Sequence, residues 1–496
     1  MDHKYINSML SQMDKDLAAK GMSRRDAMKL AGISSAGMFM GATNASANEK
    51  DEIEEVKSGV KGKIVIVGGG LAGMSTARRL LNFLDNPDIT VIEPEALSTS
   101  YQPGQTLVGG GIWDIDAIKV KRDDYIPDGV KIIKEKVIDF HPQVNELTTA
   151  EGTVVKYDYL VLATGLHLDF ERIKGLEDAG RAMSAGDNSR LLKAMGDDGI
   201  CSIYTAEGAA ATWTQMQKFI EKAKNKKDGE KVQFVFTHPN TPVKCGGAPK
   251  KILNLANARL KEAGARENAE LSFYPNGGVM FGVPQYHDAI VGQFKREGYK
   301  WYYRHNLIEV DKEKKIATFD SKWQEKGPFD PIMRDFEVIS KHEKVRVPYD
   351  FLHVTPPQLA PREIAESDLG SAKGWVPVNK ETLQHIRYDN VFSIGDVAQV
   401  PMGKTGGSVR KQYKVLVTNL IARMEGKKLP AKYAGYTVCP LITTIGTVML
   451  AEFNWTREPT PSFPLDPTVE RWMWWLMKIY LLKPMTVIGM LQTGKA

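Results

Sequence analysis

The sequence predicts an α/β protein with two wound parallel sheets, and three apolar runs carry that prediction. Lys63–Val67 has the pattern of a buried strand, and it leads through the glycine turn Gly68–Gly73 into a helix-like run from Met74 to Leu84. Tyr157–Gly165 has the pattern of a strand that closes on a small-residue turn, and Gln233–Phe236 is a further buried-strand pattern. Strand, turn and helix in this order form the repeating unit of a Rossmann-like dinucleotide-binding domain. Because 496 residues exceed one ordinary core, we expect two such domains.

The first domain is expected to be discontinuous, with its two parts on either side of the second domain. A C-terminal amphipathic helical region and an N-terminal extension complete the chain. The expected boundaries are 63–170 and 351–430 for the two parts of the first domain, 171–350 for the second domain, 431–496 for the C-terminal region and 1–47 for the extension.

Residues 22–47 resemble a twin-arginine export signal. Ser23 to Lys29 contains the arginine pair, an apolar stretch runs from Leu30 to Ala42, and Ala45-Ser46-Ala47 offers a cleavage site. Ala27 departs from the pattern, which has Phe at that position. Since this route carries folded proteins, a bound cofactor and a location at the periplasmic face of the cytoplasmic membrane, as a peripheral or monotopic protein, are expected.

Charge and cysteine content exclude several classes. The formal net charge is +6, and residues 1–47 account for two of these charges, which is too little to indicate nucleic-acid binding. The three cysteines, Cys201, Cys245 and Cys439, are too few for a disulfide scaffold and too scattered for a zinc or iron–sulfur site, so no metal is expected.

The glycine turn has the spacing of a dinucleotide fingerprint. Gly68 allows the tight turn, Gly70 lets backbone N–H groups approach a pyrophosphate, and Gly73 permits close packing of helix on strand. A second strand pattern, Ile89–Ile92, ends at Glu93, 20 residues past Gly73, where an acid would hold ribose hydroxyls.

Two distant segments favour a flavin over a dissociable nicotinamide. The strand that ends at Ala163-Thr164-Gly165 and the strand that ends at Gly395-Asp396 resemble segments of flavoproteins with two dinucleotide-binding domains. That resemblance implies FAD, with the Thr164-Gly165 turn against the cofactor and Asp396 bonded to its ribitol.

The second domain lacks a second glycine fingerprint. Its strand near residue 235 leads instead to Cys245, and Lys250 to Gly264 has a helical pattern with Pro249 suited to the first helical position. A helix N-terminus and the adjacent Lys244 favour thiolate over thiol, so a small electron donor that reacts at sulfur is expected.

The Cys245 segment and several others resemble the sulfide:quinone oxidoreductase family. These other segments are Phe281–Tyr286, His305–Val310, Leu352–Pro357, Lys380–His385 and Cys439–Leu441. The resemblance implies FAD, a quinone site near the membrane, and a bridged cysteine pair. In that family, sulfide attacks the pair to give a persulfide and a thiolate, and electrons pass through FAD to quinone.

One family cysteine is missing, because Val397 stands where the second redox cysteine follows the Gly395-Asp396 motif. Three alternatives are open. Cys439 is a replacement resembling that of flavocytochrome c sulfide dehydrogenases, and Cys201 resembles an additional cysteine of other bacterial members. In the third alternative Cys245 acts alone on a polysulfide or an organic thiol.

Pro401–Gly407 opens a helix that is expected to run to about Met424. The resemblance places Lys404, Thr405 and this helix N-terminus at the pyrimidine end of FAD. Positive potential there would stabilise the anionic reduced flavin.

The C-terminal run from Arg471 to Met485 is rich in Trp, Met and Leu but too interrupted to span a bilayer. We expect one or two short interfacial helices, divided at Pro484, with Arg471 and Lys478 on one face. Attachment to a membrane surface would give access to a lipid-soluble quinone.

Three other functions are compatible with parts of the pattern. They are a flavocytochrome-like subunit with a cytochrome acceptor, a catalytically silent FAD-binding protein, and an enzyme resembling type II NADH dehydrogenase. The aromatic C-terminus, the intact Cys245 segment and the absent second fingerprint disfavour them in turn. Association into a homo-oligomer is compatible with the sequence.

Overall fold

The computed structural model describes residues 57–95, 97–98, 101–184, 188–196, 199–227 and 229–496, with positions 15, 18 and 21. The expected export signal, 22–47, lies outside them. The chain forms two compact units. The first comprises the described residues up to Gln102 with Ile118–His167 and Leu359–Ala496, and the second comprises Pro103–Ala117 and the described residues of Leu168–Gln358.

The strands, in chain order, are β1 Lys63–Val67, β2 Asp88–Ile92, β3 Leu97–Ser98, β4 Val120–Lys121, β5 Val130–Ile133, β6 Val137–His141, β7 Glu146–Thr149, β8 Val154–Lys156, β9 Tyr159–Leu162, β10 His167–Leu168, β11 Ile200–Cys201, β12 Val232–His238, β13 Ala269–Pro275, β14 Lys300–Trp301, β15 His305–Asp311, β16 Ile316–Asp330, β17 Asp335–Pro348, β18 Phe351–His353, β19 Gln358–Leu359, β20 Val376–Pro377, β21 Val391–Ser393, β22 Ala398–Gln399, β23 Thr437–Thr444 and β24 Thr447–Phe453.

The α-helices are α1 Leu71–Phe83, α2 Gln105–Gly109, α3 Glu177–Ser184, α4 Asn188–Gly196, α5 Ala206–Lys224, α6 Ala248–Glu262, α7 Pro284–Arg296, α8 Arg362–Ala365, α9 Gly406–Met424, α10 Trp472–Leu476 and α11 Leu482–Pro484. Two π-helical segments, Met477–Leu481 and Met485–Gln492, continue α10 and α11, and short 3₁₀ turns include Gly395–Val397.

The first unit is built on a parallel sheet in the order β21-β9-β1-β2-β5. β1 lies at its centre, and Ile64, Val65 and Ile66 are completely buried. Each such side chain contributes about 1.5–3 kcal/mol through its removal from water. This apolar composition on both faces is typical of a parallel strand covered by helices. The sheet therefore brings the carboxyl ends of β1, β9 and β21 side by side.

The second unit is built on a parallel sheet in the order β11-β18-β12-β13-β14, and it also contains the antiparallel sheet β15-β16-β17. Three phenylalanines pack together in its core: the ring centroid of Phe351 lies 5.1 Å from that of Phe234 and 5.8 Å from that of Phe236. A wound α/β sheet in each unit confirms the predicted fold class.

The C-terminal region differs from the prediction in two respects. Helical conformation runs without a break from Trp472 to Gln492, so the expected division at Pro484 is wrong. A π-helical turn on each side of Pro484 accommodates a residue that cannot donate the usual helical hydrogen bond. Lys478, expected on a polar face, is only 1% exposed. In the described part of the chain, no helix is long and apolar enough to cross a membrane.

Candidate active site

The glycine turn of the first unit has room for a ligand at one position and none at two others. A Cβ atom on Gly68 would lie 2.4 Å from the carbonyl oxygen of Ala163, and one on Gly73 would lie 1.8 Å from that of Gly68. A Cβ on Gly70 would meet nothing within 4 Å. Gly70 is the N-cap residue of α1, and as a glycine it has no side chain that could cap the helix. This helix N-terminus therefore has the open backbone donors that bind phosphate.

Glu93 lies beside this turn, as the sequence predicts. Its Oε2 accepts a hydrogen bond from the backbone N–H of Gly69 at 2.8 Å. Arg122 was not found from the sequence. Its guanidinium is 3.6 Å from Glu93 Oε1 and also donates to the carbonyl oxygen of Gly69, and the residue is 6% exposed. No local pattern marks Arg122, because these contacts depend on the tertiary fold.

The other two predicted turns are close to the first. Thr164 Cα would be 2.8 Å from a Gly68 Cβ, and a Cβ on Gly395 would be 3.2 Å from that of Ala72 in α1. Gly165 and Gly395 have φ angles of +72° and +75°, which favour glycine. Thr164 Oγ1 is buried without a hydrogen-bond partner among the described residues. Such an unsatisfied hydroxyl fits a site that a polar ligand completes.

Lys404 approaches the turn that contains Asp396. Its Nζ donates to the carbonyl oxygens of Asp396 and, at 3.2 Å, Ala398. The same ammonium lies 3.8 Å from the ring centroid of Trp375, a residue that the sequence did not single out. Burial lowers the pKa of Lys404 to about 8, although Asp396 opposes that shift. Thr405 caps α9, and its hydroxyl accepts a hydrogen bond from Ser408 N at 3.2 Å.

These residues together fit a dinucleotide flavin. The open helix N-terminus suits a pyrophosphate, Glu93 suits a ribose, and Thr164 offers a buried hydroxyl. A buried ammonium on Lys404 suits a group that becomes negative when it is reduced. The structure therefore brings the predicted cofactor residues together within the first unit.

Cys245 lies in the loop between β12 and α6 of the second unit. Its φ is +52°, a left-handed conformation that is uncommon for a residue other than glycine. Its carbonyl oxygen accepts a hydrogen bond from Ala248 N at 2.7 Å, where α6 begins. Lys251, in the first turn of α6, donates from Nζ to Cys245 Sγ at 3.1 Å. An ammonium so close to sulfur favours the thiolate.

The surroundings of Cys245 hold the loop in place. Lys250 Nζ donates to the carbonyl oxygen of Gly246 at 3.1 Å, and Lys244 N donates to Gln358 Oε1 at 2.7 Å. Burial, with a smaller effect from Lys250, lowers the pKa of His238 to about 3, so this imidazole is neutral at physiological pH. The positive charge around the sulfur therefore comes from lysines rather than from histidine.

The other two cysteines have different surroundings. Cys201 in β11 is 1% exposed, its Sγ is 3.8 Å from the carbonyl oxygen of Leu352, and burial raises the pKa of its thiol. Cys439 is 3% exposed on β23, opposite Ala451, and belongs to the first unit. Val397 is fully buried. All three cysteines are described, and none forms a disulfide.

One wound sheet carries residues that fit a flavin, and the other carries a cysteine in contact with a lysine. This combination defines a flavin-dependent oxidoreductase. Residues 62–200 match the family described as pyridine nucleotide-disulphide oxidoreductase. Mitochondrial sulfide:quinone oxidoreductases of Mus musculus and Dictyostelium discoideum are each 35% identical to this chain, over 84% and 92% of its length and over 83% and 90% of theirs. The chain belongs to the sulfide:quinone oxidoreductase family, which confirms the resemblance.

A solved structure agrees at the level of the fold. The X-ray structure of the sulfide:quinone oxidoreductase from Aquifex aeolicus superposes with a TM-score of 0.63 at 19% identity, over 87% of this chain and 92% of that one.

Proposed function

We propose that this protein uses FAD to oxidise sulfide at Cys245 and reduces a membrane quinone with the electrons. The contact between Lys251 Nζ and Cys245 Sγ, at 3.1 Å, carries the proposal. It lies where an enzyme that oxidises nicotinamides would have a second glycine turn. The ammonium stabilises negative sulfur both as the thiolate and as the persulfide anion that forms when sulfide attacks an oxidised bridge between Cys245 and a partner cysteine, whose sulfur leaves as a thiolate.

The oxidation balances as far as the cysteine persulfide, and for turnover the outer sulfur then leaves to a second sulfide as a hydrodisulfide ion. Sulfide loses two electrons and two protons as its sulfur is added to a cysteine, and quinone gains both. FAD, when bound, supplies the two-electron carrier between them. We assign its pyrophosphate to Gly68, Gly70 and Gly73, and its ribose to Glu93.

The remaining cofactor contacts are assigned to Thr164, Gly165 and Asp396, with Lys404 and Thr405 at the pyrimidine end. The burial of Lys404 supports its part, because a buried ammonium interacts more strongly with a developing negative charge than an exposed one. Its two carbonyl acceptors keep Nζ at a fixed position.

We propose Cys439 as the redox partner of Cys245. A cysteine pair needs a thiolate for exchange, and the raised pKa of Cys201 makes that residue a poor nucleophile at neutral pH. The alternative is that Cys245 acts alone, since Val397 has no sulfur.

Replacing the proposed partner tests this assignment. Cys439→Ser is expected to slow sulfide-dependent flavin reduction as severely as Cys245→Ser does, whereas Cys201→Ser is expected to leave it unchanged. Stopped-flow absorbance at the flavin band measures all three variants. Unchanged kinetics in Cys439→Ser would remove Cys439 from the reaction.

The C-terminal segment supports attachment to a membrane surface. Trp475, Leu476 and Tyr480 are partly exposed, while Lys478 and Lys483 are buried. Burial lowers the pKa of Lys483 to about 8. An outward apolar face of this kind suits an interfacial helix. Flotation with phosphatidylethanolamine and phosphatidylglycerol vesicles, compared for the protein and a Trp475→Glu variant, tests the attachment.

We further propose export by the twin-arginine route to the periplasmic face of the cytoplasmic membrane. The arginine pair, the apolar stretch and the small-residue triplet support this location. A fusion of residues 1–47 to a folded reporter is expected to reach the periplasm. The same fusion with Arg24→Lys and Arg25→Lys is expected to remain inside the cell, and equal export of both would contradict the proposal.

Reduction of the bound flavin tests the overall function. Sulfide is expected to bleach the flavin within the mixing experiment, and a short-chain quinone is expected to restore its colour. NADH, mixed separately, is expected to leave the flavin oxidised. Failure of sulfide to bleach, or rapid bleaching by NADH, would contradict the proposed function.

A further inference from the structure

The hairpin of β16 and β17 projects from the second unit with its apolar side chains in water. Every residue from 335 to 344 is exposed. Among the described large apolar residues that are exposed, six fall between 329 and 339. They are Phe329 at 52%, Ile332 at 89%, Met333 at 75%, Phe336 at 40%, Val338 at 65% and Ile339 at 38%.

Within the described part of the chain, this ribbon lacks the covering layer that normally stabilises such a pair of strands. A two-stranded hairpin is only marginally stable in water, and a strand at the edge of a sheet exposes unpaired backbone N–H and C=O groups. Among the described residues, β17 pairs with β16 alone. Its 14 residues therefore present a long edge to which another strand can add.

We propose that β17 pairs antiparallel with β17 of a second copy of this chain, across a two-fold axis at His342. This register places Lys341 opposite Glu343 of the second copy, and the two-fold axis repeats the pair. It also places Ile339 opposite Val345 of the second copy. Opposite charges and β-branched side chains in direct cross-strand positions stabilise a sheet.

Charge selects this register over its neighbours. An axis at Lys341 would place two identical lysines opposite each other, and an axis at Glu343 would do the same with two carboxylates. Like charges directly opposite are destabilising. Within one chain, Lys341 is 3.7 Å from Glu325 in an exposed pair. Such a pair contributes little, so its rearrangement on association costs little.

The face on which Ile339 and Val345 lie has a concave feature beside it. A cavity of about 380 Å³ is lined by residues that include Tyr303, Arg304, Trp323, Glu343 and Val345. In the proposed register, Ile339 of the second copy lies opposite Val345, at the rim of this cavity. The apolar side chain would thus lose exposure against Val345.

A lipid surface is the competing occupant, and the charges at the tip disfavour it. Asp330 and Asp335 flank Ile332 and Met333, and Arg334 is the only basic residue of the tip from 327 to 336. Membrane surfaces that carry anionic lipids attract clusters of Lys and Arg rather than a net negative tip. The pairing is also independent of the sulfide chemistry at Cys245, so either proposal can fail without the other.

Charge reversal tests the register in the full-length holoenzyme. Sedimentation equilibrium in non-denaturing detergent is expected to show a dimer for the parent protein. Lys341→Glu and Glu343→Lys are each expected to weaken dimerisation at least about tenfold, because each creates two like-charge pairs. The double variant is expected to restore the dimer, and an equimolar mixture of the two single variants is expected to form heterodimers.

These outcomes separate a charge pair from a folding defect, since two misfolded variants would not rescue each other. A monomeric parent, or variants that dimerise as the parent does, would overturn the proposal. If the parent protein sediments as a monomer and Ile332→Asp lowers its binding to vesicles, the hairpin would be assigned to the membrane instead.

A cross-link tests the axis directly. Antiparallel partners have Cα atoms about 4.5–5.5 Å apart, within the range of a disulfide. His342→Cys is therefore expected to give a reducible covalent dimer under mild oxidation. Val338→Cys is the matched control, because Val338 lies opposite Arg346 of the second copy, roughly 27 Å from its own equivalent at about 3.4 Å per residue. Cross-linking of both variants, or of neither, would contradict an axis at His342.

Discussion

The turn after β1 and the loop after β12 occupy the same place in two similar sheets, but they have opposite characters. The first is short, glycine-rich and open at Gly70, and it presents backbone donors. The second is a longer loop in which Cys245 has a left-handed conformation and its sulfur accepts a hydrogen bond from the ammonium of Lys251. The comparison shows that strand and helix fix where a ligand can lie, while the connecting residues decide between a phosphate and a sulfur.

The largest expected effect is at the sulfur of the second loop. Cys245→Ser is expected to slow sulfide-dependent flavin reduction on the order of 1000-fold or more, because a hydroxyl cannot replace a thiolate nucleophile. Stopped-flow absorbance measures it. Flavin content is expected to be unchanged. Near-normal flavin reduction in this variant would contradict the assignment of sulfur chemistry to the loop after β12.

The next largest effect concerns the first turn. Gly73→Val is expected to abolish flavin retention, because its Cβ would lie 1.8 Å from the carbonyl oxygen of Gly68. Gly59→Val is the matched control, since its Cβ would meet no atom within 4 Å and Gly59 lies outside the glycine turn. The ratio of flavin to protein absorbance reports occupancy, and thermal unfolding followed by circular dichroism reports the fold. Equal flavin content in the two variants would show that close packing at Gly73 is unimportant.

A smaller effect is expected when the charge beside Cys245 is removed. Lys251→Met is expected to lower the rate of Cys245 alkylation by iodoacetamide about tenfold at pH 7, because less of the sulfur is thiolate. Lys250→Met is the control, since Lys250 Nζ donates to the carbonyl oxygen of Gly246. Mass spectrometry of the peptide that contains Cys245 measures the rate. An equal decrease in both variants would indicate a general change of the electrostatic potential around the loop and not the loss of the contact between Lys251 and Cys245.

The smallest effect concerns Lys404. Lys404→Met is expected to lower the flavin midpoint potential at pH 7 by roughly 30 mV, about 1.4 kcal/mol for two electrons. Burial lowers the lysine pKa to about 8, so the ammonium is charged below that pH and neutral above it. The potentials of parent and variant are therefore expected to converge above about pH 9. A difference that stays constant across this range would contradict a role for the charge.

The sequence predicted the elements whose cause is local. β1 has the predicted bounds, and α9 ends at Met424 as expected. The start of α6 was predicted slightly late, because Ala248 precedes Pro249 in the helix. The predicted turns of the first unit converge because parallel strands place their carboxyl ends at one edge of the sheet.

The remaining features depend on contacts between distant residues. Trp375 reaches Lys404, and Arg122 reaches Gly69, only through the tertiary fold. The burial of Lys478 could not be predicted either, because helical periodicity shows which residues share a face and not which face docks. The exposure of the hairpin of β16 and β17 likewise depends on how the other described elements pack, which no local pattern reveals.

The left-handed conformation of Cys245 has a consequence for engineering. A residue with a Cβ pays about 1–2 kcal/mol for this conformation, a cost that glycine does not have. Stability and turnover therefore oppose each other at one residue. A screen that rewards thermal stability alone would favour glycine at position 245 and would enrich proteins that fold well and oxidise nothing, so variants of this chain should be selected for both properties together.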